Sequence, residues 1–239
     1  MGLKKIIYFF GVKILFHPRF ILDFYKFRSL QKNNKKKIEW KDVLPFFNEN
    51  TTETIFDSHY VYHPAWATRV VKKINPEKHI DISSTLHFCT QLSAFIPTDF
   101  YDYRPAQLKL DNLTTNSIDL CKMNFESNSI YSLSCMHTIE HIGLGRYGDP
   151  LDPYADIQAA SELQRVIAEK GNLLIVTPVG RPKIMFNGHR IYSFEQIIGM
   201  FSQLTLVEFT LIPDNAISAG MVANANPDLV SLQKYGCGC

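Results

Sequence analysis

The chain has 239 residues, 46% hydrophobic and 20% charged, enough apolar content to bury a sizeable core and too much for a disordered protein. The formal net charge of +2 is unevenly placed: residues 1–41 hold eleven Lys and Arg against Asp23 and Glu39, leaving 14 basic and 21 acidic residues in the rest. That balance speaks against a nucleic-acid-binding core, and five cysteines without framework spacing point to a reducing, cytoplasmic setting.

Residues 1–40 form a basic, aromatic extension, and residues 41–239 read as one domain. Within residues 1–30, Lys13, His17, Arg19 and Asp23 interrupt any apolar run long enough to span a bilayer. No small-residue cleavage site follows, and Ile6 breaks the myristoylation pattern that Gly2 would open. The segment is expected either to lie at a membrane surface, with its aromatics in the lipid boundary, or to pack as a helix. QKNNKKK, residues 31–37, reads as a solvated linker.

Beyond residue 57 the pattern becomes that of alternating strands and helices. FDSHYVYHPAWATRVVKKI predicts an aromatic loop and then a helix with Pro64 in its first turn. His59, Tyr60, Tyr62, His63 and Trp66 there are expected to form an aromatic lid or to pack that helix on the sheet. Strands are expected at 78–82, 96–102, 116–120 and 129–136. A helix at 154–169, a continuous apolar strand at 172–178, a helix at 193–202 and a strand at 204–212 follow. The alternation implies a doubly wound, mostly parallel α/β sheet of the Rossmann-like kind. YGCGC at the end reads as a flexible tail beyond an edge strand.

Acids fall at the carboxyl ends of the early strands, where open α/β sheets bind ligands. Asp81 ends the first. Asp102 ends the second, 21 positions later, the spacing of an acid that accepts hydrogen bonds from ribose hydroxyls. Asp119, before Met123-Asn124-Phe125, lies where an acid meets an adenine edge. Together they point to a nucleotide-type ligand, and the absence of G-x-G-x-x-G argues against a dinucleotide dehydrogenase.

The series IDISS, FYDYRP, IDLCKMNFESNSI, SCMHTIEH and ELQRVIAEKGNLLIVTP resembles the class I S-adenosylmethionine (SAM)-dependent methyltransferases. HTIEHIGLGRYGDPLDP, FNGHRIYS and HYVYHPAWA closely resemble the family called domain of unknown function 268, over roughly residues 55–239. The resemblance implies a Rossmann-like methyltransferase fold with SAM as cofactor, Asp81 and Ser83 around its methionine part, Asp102 on ribose and Asp119 near adenine. Such domains are often associated with surface-glycan biosynthesis. The chain departs from the superfamily in its first loop, DISSTLHF, which lacks the glycines that let backbone approach a cofactor.

His137, Glu140 and His141 spell H-x-x-E-H after the fourth strand. The same letters occur in a zinc peptidase pattern, but here they follow an apolar strand where a strand-to-helix turn is expected, and no metal is expected. For methyl transfer to a hydroxyl, His141 or His137 is the candidate base with Glu140 orienting it. Otherwise Glu140 caps the next helix and His137 packs against the adenosine. In the glycine- and proline-rich loop 143–153, Arg146 is a candidate for holding an anionic group and Tyr147 for a further substrate contact, with Asp149 and Asp152 for sugar hydroxyls, a hard cation or turn formation. Asn187, His189 and Arg190 follow the fifth strand, the last two as further contacts to an anionic substrate. The expected activity is O-methylation of a carbohydrate or lipid-linked glycan. The rivals are a non-catalytic methyltransferase-like binding module and an enzyme of another nucleotide-type ligand, such as a nucleotide sugar.

Overall fold

The computed structural model describes residues 18–31, 38–47 and 49–239; the expectations for residues 1–17 and for the linker at 32–37 lie outside them. The chain divides into two compact units, Met1–Ile55 and Phe56–Cys239. In the first, helix α1 (Pro18–Leu30) buries Phe24, which stacks on Trp40 at 4.0 Å between ring centroids. Among the described residues no helix is long and apolar enough to cross a membrane.

The second unit opens with helix α2 (Ser58–Ile74). Asp57 caps it by accepting the Tyr60 backbone N–H at 3.2 Å. Because the helix starts this early, Pro64 sits in its interior rather than in its first turn. Strand β1 (His79–Ile82), helix α3 (Leu86–Leu92), strands β2 (Thr98–Asp102), β3 (Leu113–Ser117) and β4 (Ile130–Met136), helix α4 (Ala155–Val166) and strand β5 (Ile167–Val179) follow. Strands β6 (Lys183–Met185) and β7 (His189–Ile191) form a separate hairpin whose turn holds Asn187 at φ +58°. Helix α5 (Phe194–Met200), strand β8 (Thr210–Ile212), helix α6 (Ala216–Ala219) and strands β9 (Val222–Ala223) and β10 (Gly236–Gly238) complete it.

The main sheet runs β3-β2-β1-β4-β5-β10-β8-β9, with β1 to β5 parallel throughout. It is the Rossmann-like sheet that the strand-helix alternation predicts. Its central strands are covered on both faces, so their side chains divide by period two. Met136, Leu174 and Val176 pack with Trp66, Val71, Phe88 and Leu92 of α2 and α3. Leu133 and Cys135 pack with Ala159, Leu163 and Val166 of α4.

Four expectations are corrected. The third strand occupies Leu113–Ser117, ahead of residues 116–120, and the last predicted strand is ordered as a strand only at Thr210–Ile212. The helix expected to reach residue 169 stops at Val166, because Ile167 pairs with Ile130 and starts β5 with no intervening loop. The C-terminal residues are no tail: β10 lies antiparallel between β5 and β8, with Cys237 opposite Pro178 and Ile212. Cys237 is fully buried, in the same core as Trp66 and Met136.

Candidate active site

The strand order reverses between β1 and β4, and in open α/β sheets ligands bind beyond the carboxyl ends at such a point. A cavity of about 370 Å³ lies there, within the size range of small-molecule sites. The loops after β1, β2 and β4 and the segments 118–121 and 141–158 line it.

Two non-glycine residues with left-handed backbone flank the reversal: Ser83 after β1 (φ +55°) and His137 after β4 (φ +53°). The first loop thus takes, at Ser83, a conformation that glycine would otherwise supply, and surrounding structure must hold the strain in place. Ser83 N–H donates to the Tyr101 carbonyl at 2.7 Å, and the Thr138 hydroxyl donates to the Ser83 carbonyl at 3.2 Å, lacing the two loops together.

Of the expected cofactor residues, Ser83, Asp102 and Asp119 line the cavity. One Asp102 carboxylate oxygen accepts the Arg104 backbone N–H at 2.7 Å, and one of Asp119 accepts that of Cys121 at 2.9 Å, leaving the second oxygen of each for a ligand. Asp81 does not line it. Its side chain is wholly buried between β1 and β4, bonded to the Ser134 hydroxyl, which also meets the His79 ring at 2.9 Å. Burial pushes the Asp81 carboxyl up to about 7, against the lowering by its serine partner.

His137 and His141 reach the cavity, whereas Glu140 is fully buried behind them. Glu140 Oε1 accepts the His137 Nδ1–H at 2.8 Å and lies 3.7 Å from His141 Nε2. The His141 Nδ1–H donates to the Gly188 carbonyl at 2.7 Å, so Nε2 carries the lone pair. Burial depresses the His141 pKa and outweighs Glu140, which raises it; the ring is neutral at neutral pH. His137 Nε2 instead faces Cys237 Sγ at 3.4 Å, which leaves His141 as the imidazole free to act as a base.

The expected substrate residues separate. Tyr147, Asp149 and Asp152 line the cavity; Arg146, His189 and Arg190 do not. Asp149 is occupied by its own loop, accepting the N–H groups of Gly143 (2.7 Å), Gly145 (3.2 Å) and Tyr147 (3.1 Å). These bonds outweigh burial and hold its carboxyl below the usual range. Asp152 accepts Tyr154 N–H at 2.8 Å and the Gln158 amide at 2.9 Å. Both acids therefore shape the turn while lining the cavity.

Arg190 is a framework residue. It is buried, pairs with Asp156 at 3.3 Å and donates to the Ile142 carbonyl at 2.6 Å, so it cannot reach a substrate. His189 packs its ring on Tyr235 at 5.0 Å. Arg146 lies 5.1 Å from the Tyr147 ring centroid, and Arg104, a cation the sequence reading did not single out, lies 5.0 Å from it while lining the cavity. Asn187-Gly188 between two short runs is a hairpin signal that would have placed the carbonyl orienting His141. Of the aromatic set, His59, His63 and Trp66 are buried and Tyr60 stacks on His137 at 5.3 Å.

A family model, "Caenorhabditis protein of unknown function, DUF268", matches residues 89–213. No curated protein matches the chain. Among solved structures, a Bacillus halodurans C-125 protein assigned as a methyltransferase aligns at 15% identity and TM-score 0.49, over 62% of this chain and 71% of its own. A SAM-dependent methyltransferase from Thermotoga maritima aligns at 13% and 0.48, over 75% and 89%. Haemonchus contortus phosphoethanolamine N-methyltransferase 2, solved with phosphomonomethylethanolamine and S-adenosylhomocysteine, aligns at 15% and 0.45, over 62% of this chain and only 38% of its own.

Proposed function

The chain belongs to the DUF268 family, and from its Rossmann-like fold and the cleft at the sheet reversal we propose that it is a SAM-dependent methyltransferase acting on an oxygen acceptor. The observation that carries this reading is the convergence of Ser83, Asp102, Asp119 and His141 on one cavity. These residues fit the cofactor: Asp102 and Asp119 each keep a carboxylate oxygen for hydroxyl or amino donors, and Ser83 takes the left-handed backbone that glycine would otherwise supply in this loop. When bound, the sulfonium supplies an electrophilic methyl group.

In this reading Asp102 accepts from the ribose hydroxyls, Asp119 borders the adenine and the Ser83 loop borders the methionine part. Methyl transfer is a direct displacement, so positioning contributes most. His141 Nε2 takes the proton of an acceptor hydroxyl while Nδ1–H stays on the Gly188 carbonyl, and Glu140 at 3.7 Å stabilises the imidazolium that forms. Arg104 and Tyr147 border the acceptor side.

The finer proposal is a carbohydrate or lipid-linked glycan acceptor met at the cytoplasmic membrane face. Supporting a hydroxyl-bearing acceptor is His141 on the cavity wall, and supporting the membrane location are the exposed Leu22, Tyr25, Phe27 and Leu30, alongside Arg19, Lys26 and Arg28, on α1. S-adenosylhomocysteine release across a panel of free and lipid-linked glycans tests the acceptor, and flotation with anionic vesicles tests the location.

The deciding experiment is a calorimetric titration with SAM and S-adenosylhomocysteine. Binding of both is expected, weakened by roughly 10- to 100-fold in Asp102→Ala, the cost of a lost bond to a charged acceptor. No binding of either at high protein concentration overturns the proposal. A nucleotide sugar that binds instead would identify the ligand as another of the same general type.

A further inference from the structure

We propose that His59, His137 and Cys237 form a three-ligand site for zinc or a similar borderline-soft divalent ion, wedged between α2, the end of β4 and β10. One ligand atom from each lies within 4.8 Å of the other two, and all three residues are buried. Zinc binds nitrogen at about 2.0–2.1 Å and thiolate at about 2.3 Å, so a nitrogen and a sulfur of one tetrahedron stand roughly 3.5 Å apart. His137 Nε2 and Cys237 Sγ stand 3.4 Å apart.

The orientation of His137 is the one a metal would need. A ligating histidine presents one nitrogen and gives its other N–H to a carboxylate or carbonyl, which fixes the tautomer. His137 gives Nδ1–H to Glu140 at 2.8 Å, which leaves the lone pair on the Nε2 that faces Cys237 Sγ. The His59 ring stacks between those of His137 and Tyr235, at 5.5 and 5.0 Å between centroids.

Two orphaned atoms mark the same pocket as incomplete. His63, 5.0 Å from His137 between ring centroids, gives Nδ1–H to the His59 carbonyl and has a fully buried Nε2 without a partner. Glu140 Oε2 is buried without a partner as well. Uncompensated buried polar atoms are costly, and a divalent ion bound through His137 places positive charge beside that carboxylate. A thiolate and Glu140 together balance the ion's charge.

The donor set speaks for the metal class. Two imidazoles and one thiolate suit zinc or cobalt(II) rather than magnesium or calcium, which take oxygens. Three protein ligands leave a fourth position, as in catalytic rather than structural zinc sites, and His137 borders the cavity. The ion would also tie the first helix of the domain to its last strand. This inference does not depend on the cofactor or the reaction proposed above.

The test is metal binding by the full chain. Protein freed of metal with a chelator and then titrated with cobalt(II) is expected to take up one equivalent, with a thiolate-to-cobalt charge-transfer band and the intense visible bands of tetrahedral cobalt. Cys237→Ser is expected to lose the charge-transfer band, and His59→Ala to lose stoichiometric binding. His87→Ala, at a histidine outside the cluster, is expected to bind as the wild type does. Folded wild-type protein that takes up no stoichiometric ion overturns the proposal. So do folded Cys237→Ser and His59→Ala variants that bind normally. Should those variants not fold, X-ray absorption of the zinc-loaded wild type decides. One sulfur with imidazole nitrogens supports the site; oxygens alone, or two or more sulfurs, refute it.

Discussion

His141 owes its character as a base to burial more than to its partners. Glu140 and the Gly188 carbonyl both favour the charged ring, yet desolvation prevails, and Arg146 adds to it. Its ring resonances in an NMR titration are therefore expected to report a pKa below the ordinary 6.5, and Arg146→Ala to raise it. A wild-type value above 6.5, or a downward move in Arg146→Ala, would refute this account. Asp81 is the opposite case, an acid whose expected ligand role gives way to a buried one. Its folded pKa of about 7 exceeds the ordinary 3.8, so its stabilising contribution is complete below 3.8 and is lost as pH rises through about 7. That displacement is worth about 4 kcal/mol. Denaturant unfolding across pH is expected to show wild type losing stability relative to Asp81→Asn by this order between about pH 4 and about pH 8. The depressed His63 and His79, each at about 3, act in the reverse sense, with stability lost as pH falls below 6.5, and they cancel in the difference. A flat difference would refute the buried-acid reading.

At the scale of elements, the loop between β4 and α4 shows how its composition becomes geometry. Gly143 sits at φ +77°, and a Cβ there would meet the Asp152 carbonyl oxygen at 2.0 Å. Gly143→Ala is therefore expected to cost at least about 2 kcal/mol and to displace the turn that carries Tyr147. Asp149→Ala, which frees three backbone N–H groups, is expected to loosen the same loop with a smaller loss of stability. Thermal melts compare them; a Gly143→Ala protein as stable as wild type would contradict the packing described. The chemistry of this loop was legible only in part. Glycine and proline announce a turn, but whether an aspartate serves a ligand or its own backbone depends on the fold of the loop, which residue types do not specify. The acids on β2 and after β3 were legible for a different reason: strand patterning alone places them at carboxyl ends. Arg190 was misread because the carbonyls it holds come from residues 142 and 153 of the loop after β4, to which the β6–β7 hairpin carries it.

At the scale of the whole molecule, β4 and β5 were readable because each carries a local apolar run, whereas β3, with Leu113 as its one apolar residue, was placed too late. The antiparallel half of the sheet was not readable, because its decisive strand looks like the opposite of one. Gly236-Cys237-Gly238 has no bulk and no alternation, which in sequence reads as slack. In the fold, its thinness is the requirement: a Cβ on Gly238 would lie 2.9 Å from a Val179 methyl, and one on Gly236 2.9 Å from the Gln233 side chain. A narrow strand is what fits between β5 and β8. Ending the chain at Lys234 is therefore expected to remove far more than a few terminal contacts. It would expose two unpaired strand edges, strip Thr210 of both its bonds to Cys239, and open the core that Cys237 shares with Trp66, Met136 and Ile212. A domain's whole stability is only about 5–15 kcal/mol, and a loss of this kind is expected to exhaust it. Removing residues 1–40, which belong to the other compact unit, is expected to leave the melting of the sheet domain nearly unchanged. Far-ultraviolet circular dichroism of the two shortened proteins separates these outcomes. A cooperative melt within a few degrees of wild type after loss of residues 235–239 would mean that β10 is dispensable to the sheet it completes.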